Sequence, residues 1–361
     1  MDAVKKGISI EKQKSMYQKL LLVYWKEELN SLVSKTGISL DEVAEYIGAS
    51  YKRDIGFYAK LPHRRDTIIG IGMAFKLSLD EINHWLTHYA KKSKLYAKDV
   101  FSDLIWIYLI NCNYNDKDSD INYYRLYDRC VAATSATYQE FFRENASEDQ
   151  GTAPVARDLC DIGFDIEFEG LRGFVIDHLD AFQTAYTKPR KILEKYVKTI
   201  CDTLSETGNG VSTLSSLRGY LDDSMINYLS GSPDTLHAVD LKSGKITEHL
   251  KVIPKSRKEH IALCLALGMI KDEINEYLTA SGYTELDSNE AEERALLIAL
   301  DMWDDAHPLQ RAYKANRIYG DSSVEISKED EETAVEEMLL LRQSLKYEYE
   351  RKGDKFQYIN D

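Results

Sequence analysis

Two stretches decide how this chain reads. Pro62–Thr87 is PHRRDTIIGIGMAFKLSLDEINHWLT, and Pro254–Thr279 is PKSRKEHIALCLALGMIKDEINEYLT. A constant offset of 192 aligns them without gaps, with identity at ten of 26 positions. The identities are Pro62/Pro254, Arg65/Arg257, Ile69/Ile261, Ala74/Ala266, Asp80/Asp272, Glu81/Glu273, Ile82/Ile274, Asn83/Asn275, Leu86/Leu278 and Thr87/Thr279. Unrelated segments of this length share roughly one or two residues, so the chain repeats one supersecondary unit.

Working outward, the neighbouring segments carry helical signals. Leu21, Trp25, Leu29 and Leu32/Val33 recur at helical spacing, so about Ile10 to Lys35 reads as one long helix with an apolar stripe. Gly37 ends it as a C′ residue. Ser39 with Glu42, and Ser78 with Glu81, have the capping-box pattern that opens a helix. Gly48 permits the tight turn before Ser50, which caps a helix beginning Tyr51-Lys52-Arg53. Arg65–Lys76 is expected to be helical, as is about Asp99 to Ile110, which is apolar on most sides and reads as central to a core. Cys112–Asn122 is read as a polar loop, with helix over about Asn122–Arg143 and a helix pair over about 154–186.

The second copy is expected to start its long helix at Pro189, with Leu193, Val197, Ile200 and Leu204 as the stripe. It then departs from the first. Its short helix in DDSMINYLSG is prefaced by Asp222 and Asp223, and an insertion, Ser232–Ile253, precedes the matched segment. The tail holds a basic patch, Arg311, Lys314 and Arg317. A final helix over about Lys328–Lys352 has an amphipathic face of Val335, Met338, Leu339, Arg342 and Leu345, expected to pack within the chain.

Composition sets broad limits. With 43% hydrophobic and 29% charged residues the chain reads as globular, and no apolar run approaches the roughly 20 residues of a membrane span. Five scattered cysteines without CxxC fit reduced thiols and a cytoplasmic location. The net charge of −14 is uneven: +5 over residues 1–100, then −8, −5 and −6 over 101–210, 211–300 and 301–361. Only the first block attracts a polyanion through its mean charge.

The segment SLDEVAEYIGAS…LPHRRDTIIGIGMAFKLSLDEIN resembles the lambda-repressor/Cro-like helix-turn-helix family, also called XRE. The matching residues are Ala44, Gly48, Pro62, Ala74, Leu77 and Glu81. The resemblance covers roughly 38–83, with an echo at 211–275. It implies an all-α fold in which two such domains flank a helical middle region and a helical tail closes the chain. The corresponding division is 1–111, 112–185, 186–306 and 307–361.

In this family the second helix of the motif enters the major groove by its N-terminal end. The resemblance therefore places Tyr51, Lys52 and Arg53 at bases, and Lys60, His63, Arg64 and Arg65 near phosphates, with Lys91, Lys92, Lys94 and Lys98 extending the footprint. The expected partner of the first copy is double-stranded DNA, and the expected role is a cytoplasmic transcriptional regulator. The second copy and the C-terminal helix are assigned to a protein partner or self-association, with no membrane. The rival is a protein-interaction scaffold whose domains no longer bind DNA. Leu40, where the family often has glutamine, and Gly56 within the reading helix favour it.

Other constellations fall short of chemistry. His84 and His88 share a helix face, but no cysteine or carboxylate is spaced to complete a metal set. Asp116, Asp118 and Asp120 begin like a calcium loop, yet Ile121 and Tyr127 stand where glycine and glutamate are required. Asp177, His178 and Asp180 have no nucleophile beside them, and Gly208-Asn-Gly210 lacks a phosphate-loop lysine. No enzyme, cofactor or metal is expected.

Overall fold

A computed structural model describes residues 10–48, 60–62, 64–95, 100–117, 120–128, 130, 170, 171, 174, 179–206 and 256–351. Every regular element among them is helical, and none is a strand. In chain order these are α1 (Ile10–Thr36), α2 (Leu40–Tyr46), α3 (Arg65–Ala74), α4 (Leu79–His88), α5 (Val100–Asn115), α6 (Leu179–Glu206), α7 (Arg257–Ala266), α8 (Lys271–Ala280), α9 (Ala291–Ala306), α10 (Pro308–Tyr313) and α11 (Lys328–Arg351). A π-helical turn, Lys314–Ile318, follows α10. Among the described residues no helix is long and apolar enough to cross a membrane.

The chain divides into two compact units. One comprises 15–187 and 280–284; the other comprises 1–14, 188–279 and 285–361. The first holds the first repeat. Its core is built on Trp25 and Leu29 of α1, Ile68, Ile69 and Met73 of α3, Ile82, Trp85 and Leu86 of α4, and the apolar wall of α5. Trp25 meets Trp85 edge-on at 4.9 Å and Tyr89 at 5.1 Å, geometry that aromatic quadrupoles favour. Glu28, on the same helix, accepts hydrogen bonds from Trp85 Nε1 and Tyr89 OH, so α1 grips α4 through both apolar and polar contacts.

The local signals explain the helix ends. Gly37 sits at φ +73° and returns its N–H to Val33 O at 2.9 Å. Ser39/Glu42 and Ser78/Glu81 each form the reciprocal capping box. Gly48 takes φ +68° as the turn requires. Two expectations are corrected. The loop expected over Cys112–Asn122 starts later: α5 runs on to Asn115, because Asn113 is buried and anchored, donating to Met73 O at 2.7 Å, and the described residues after it are non-helical up to Asn122. Pro189 does not start a helix but lies inside α6. Proline removes one backbone donor, and a helix continues through it when the rest of its bonds hold. Of the expected helix 122–143 only residues up to 128 and Cys130 are described, and most of 154–186 lies outside the described residues.

The repeat extends further than the sequence alignment. At the same offset of 192, α3 matches α7 and α4 matches α8 residue for residue at both ends. The next helices, α5 and α9, are both 16 residues long. Three contacts recur. Leu77 N donates to Gly72 O, as Met269 N donates to Cys264 O, both at 2.9 Å. Asn83 Oδ1 accepts the Leu95 N–H at 2.7 Å, as Asn275 Oδ1 accepts that of Leu286 at 2.9 Å. Arg65 donates to both oxygens of Asp103 and to Lys94 O, as Arg257 donates to both oxygens of Glu293 and to Glu285 O.

The turn between paired helices needs a left-handed residue. Gly268 supplies it at φ +67° in the second copy, where a Cβ would stand 2.5 Å from that of Met338. Lys76 supplies it at φ 53° in the first, and its ammonium compensates by binding the carbonyls of Asp116 and Lys117, each at 2.8 Å.

The second unit buries Leu193, Val197, Ile200 and Leu204 of α6, as their spacing indicates. Helix α11 packs within the chain against α7 and α10, with Val335, Met338, Leu339 and Leu345 buried. Truncating Glu293 to alanine removes the carboxylate that both sides of the buried Arg257 guanidinium grip, which costs about 3–5 kcal/mol. Urea unfolding of Glu293→Ala at an unchanged slope measures it; a loss near zero would mean that the pair does not hold this unit together.

Candidate nucleic-acid interface

The described part of the family-implied interface begins at the front of α2. Ser39 and Glu42 close that end: Glu42 Oε2 accepts from Ser39 N at 2.7 Å, and Ser39 Oγ accepts from Glu42 N at 3.2 Å. The hydrogen bonds from Ser39 hold the exposed Glu42 carboxyl below the usual range. With Asp41 beside it, this helix end carries two exposed acids.

The back of α2 is tied down from below. Asn122 Nδ2 donates to Tyr46 O at 2.8 Å, and Arg125 donates to Glu45 O at 3.0 Å. Tyr46 OH donates to the buried Asn113 Oδ1 at 3.3 Å, and burial raises its phenol to about 12. The helix is therefore fixed to α3 and α5 before the chain enters residues 49–59.

Tyr51, Lys52, Arg53 and His63 lie outside the described residues, as does the whole stretch expected to read bases. The phosphate set divides. Lys60 is exposed, and Pro62 is buried where the chain enters α3. Arg64 is the N-cap of α3, its side chain 81% exposed and 3.5 Å from the carboxylate of the exposed Asp66. Arg65 turns inward. Its guanidinium spans Asp103, which is fully buried, and reaches Lys94 O at 3.0 Å. The geometry gives Arg65 a structural place, because a bidentate carboxylate and a carbonyl already take up its fork. Lys92 and Lys94 are exposed, and Lys91 at φ 51° holds its ammonium 5.8 Å from the ring of Tyr17. Lys98 lies outside the described residues.

The two copies differ at one helix end. In α7, Ser256 caps the first turn and Glu259 returns the bond, a complete capping box. In α3, the residue at the same place is Arg64, and no side chain caps the first turn. One copy closes its helix start with its own oxygen atoms; the other has no side-chain cap there and carries the exposed pair Arg64 and Asp66. The N-terminal N–H groups of a helix and its dipole favour an anion there.

The tail's basic patch is corrected. Lys314 is buried, donating to Glu273 Oε2 at 2.8 Å and Gly268 O at 2.6 Å; burial lowers its pKa and Glu273 opposes that shift. Tyr319 OH donates to the other oxygen of Glu273 at 2.9 Å. Arg317 pairs with Glu331 at 2.7 Å and Glu206 at 3.1 Å, and Arg311 stands 3.7 Å from Asp304. Three cations close in sequence are thus distributed among four acids.

Of the remaining constellations, Asp116 accepts from Tyr123 OH at 2.6 Å, and Asp118 is outside the described residues, as are Asp177, His178, Gly208 and Gly210. His84 and His88 stack with ring centres 5.1 Å apart. Among the described residues no three metal-ligating side chains converge. Sequence reasoning missed Asp103 and Glu293, the acids of the two clamps. They fall beyond the aligned window, where the arginine-to-acid spacing is 38 positions in one copy and 36 in the other. Asn83/Asn275, by contrast, were visible as an identity.

No family model, curated protein or solved structure matches this chain.

The contrast in capping predicts opposite signs for two substitutions. Arg64→Ser supplies the missing cap and raises thermal stability by about 0.5–1 kcal/mol, whereas Ser256→Ala lowers it by about 1 kcal/mol. Melting of the two variants beside the parent decides it, and a destabilised Arg64→Ser would show that the α3 terminus is satisfied in another way.

Proposed function

We propose that this chain is a DNA-binding regulator built from two lambda-repressor-like helix-turn-helix domains, and that its first copy makes the DNA contact. The observation that carries the reading is the difference between the two copies at the helix that follows the reading segment. The first copy leaves the start of α3 uncapped and flanks it with the exposed Arg64 and Lys60. The second closes the same place with Ser256 and Glu259. An open helix start beside cations suits a phosphate. The block of net charge +5 around it, in a chain of net charge −14, supplies the attraction. Tyr51, Lys52 and Arg53 then fall on bases, and the second copy, whose Arg257 is paired with Glu293, is left to protein contacts.

One observation favours the rival scaffold reading. The front of α2, where the family makes a phosphate contact, carries Asp41 and Glu42, and Glu42 already occupies the capping position. A phosphate approaching there meets two carboxylates.

Binding of the full chain to a random duplex pool across a salt series separates the two readings. The regulator predicts a log–log slope of about −0.9 per neutralised phosphate, loss of binding in Lys52→Glu/Arg53→Glu, and a slope shallower by about 0.9 in Arg64→Ser. Absence of binding at low salt would overturn the regulator in favour of the scaffold.

A further inference from the structure

His84 and His88 lie one turn apart on the outer face of α4. Their rings face each other with centres 5.1 Å apart and planes within 11° of parallel. His84 is exposed and His88 half-buried. Tyr89 backs both, its ring 4.8 Å from His88 and 6.5 Å from His84, each edge-on. Tyr89 is itself buried and tied to Glu28, so the surface behind the two imidazoles is rigid. We propose that this pair is a bidentate site for a divalent transition-metal ion of the copper, nickel and zinc series, with solvent completing the coordination.

Three physical features support it. Imidazole nitrogen suits this series, and divalent copper binds such ligands most tightly. Metal–nitrogen bonds of about 2.0–2.1 Å require the two ligating atoms to come within about 4.2 Å of each other. Rings already face to face reach that by small side-chain rotations. The pair also sits in the closing turns of α4, with His88 as its last residue, where the negative end of the helix dipole favours a cation. Each imidazole has two nitrogens, so one ligates while the other keeps whatever hydrogen bond it makes. The ligand count is two, which leaves coordination positions open rather than making a closed structural site.

The test uses the full chain and copper(II) alone. Equilibrium dialysis against a weak competing chelator, with electron paramagnetic resonance of the bound ion, reads affinity and nitrogen ligation. The parent is expected to take up one copper in a class that His84→Gln and His88→Gln each weaken by at least about tenfold. Lowering the pH from about 7.5 to about 5.5 is expected to release it, because protonated imidazole cannot ligate. Melting curves of the metal-free variants confirm that they are folded. Nickel should follow the same pattern at lower affinity. Identical titrations and spectra for the parent and the folded variants would overturn the proposal, as would binding insensitive to this change in pH.

Discussion

Each repeat depends on one arginine that does three things at once. Arg65 and Arg257 stand in the first turn of their helices, span a buried carboxylate on the third helix, and hold the carbonyl of the loop between. The carboxylates sit in nearly complete isolation from water, Asp103 fully buried and Glu293 at 2% exposure. A buried ion pair gains little over a well-packed apolar replacement, but losing one partner is severe. Its contribution is therefore one of specification. It sets the distance between the first and third helices and the path of the loop. The planar guanidinium does this because two of its edges are directed at once, which an ammonium cannot match. The Asn83 and Asn275 side chains finish the job by holding the next loop N–H. With clamp and latch in place, the surface residues of each copy are free to diverge.

The divergence is visible at matching positions. Glu81 and Glu273 both follow a capping pattern, yet their surroundings differ. Glu81 is exposed and caps Ser78. Glu273 accepts from Ile270 N, Lys314 and Tyr319 together, and is buried. The second copy has recruited a cap into its core, and the tail supplies the cation. Tyr196, hydrogen-bonded to Tyr319 at 3.1 Å, extends that network, and burial raises the pKa of both phenols. The first copy keeps the same glutamate at the surface. One copy thus has its charges folded into packing, and the other keeps several at its boundary.

What could be read from the sequence was whatever is local. Gly37, Gly48, Ser39/Glu42 and Ser78/Glu81 act within one turn of themselves, and a helix end follows from the residues that make it. The helix pair was legible for a different reason, because two copies of one pattern test each other. Pairing at a distance was not legible. Nothing near Asp103 marks it as the partner of Arg65, 38 positions earlier. A run of cations such as Arg311, Lys314 and Arg317 looks like a patch until the fold sends each side chain in its own direction. Pro189 misled for the same reason. Proline is enriched at helix starts, but its cost inside a helix is finite, and a helix with enough other support continues through it.

The acidity of the whole chain does not by itself decide between contact with a polyanion and its avoidance. What matters is where cations are left uncompensated, and that is a property of packing rather than composition. In the second unit, Arg257, Lys314 and Arg317 each face a carboxylate within hydrogen-bonding distance. In the first, Arg65 is compensated in the same manner, whereas Arg64, its immediate neighbour, is exposed beside an uncapped helix start and faces only the exposed Asp66, 3.5 Å away. Arg64, the N-cap, keeps an extended backbone (φ −92°, ψ 131°) and Arg65 begins the helix, so the two neighbours leave the chain under different backbone geometry. Adjacent arginines therefore serve opposite purposes, the inner one setting the helix in place and the outer one giving that helix a charged end. A repeat built this way keeps its scaffold when its outer charge changes, so two copies of one pattern can present different surfaces.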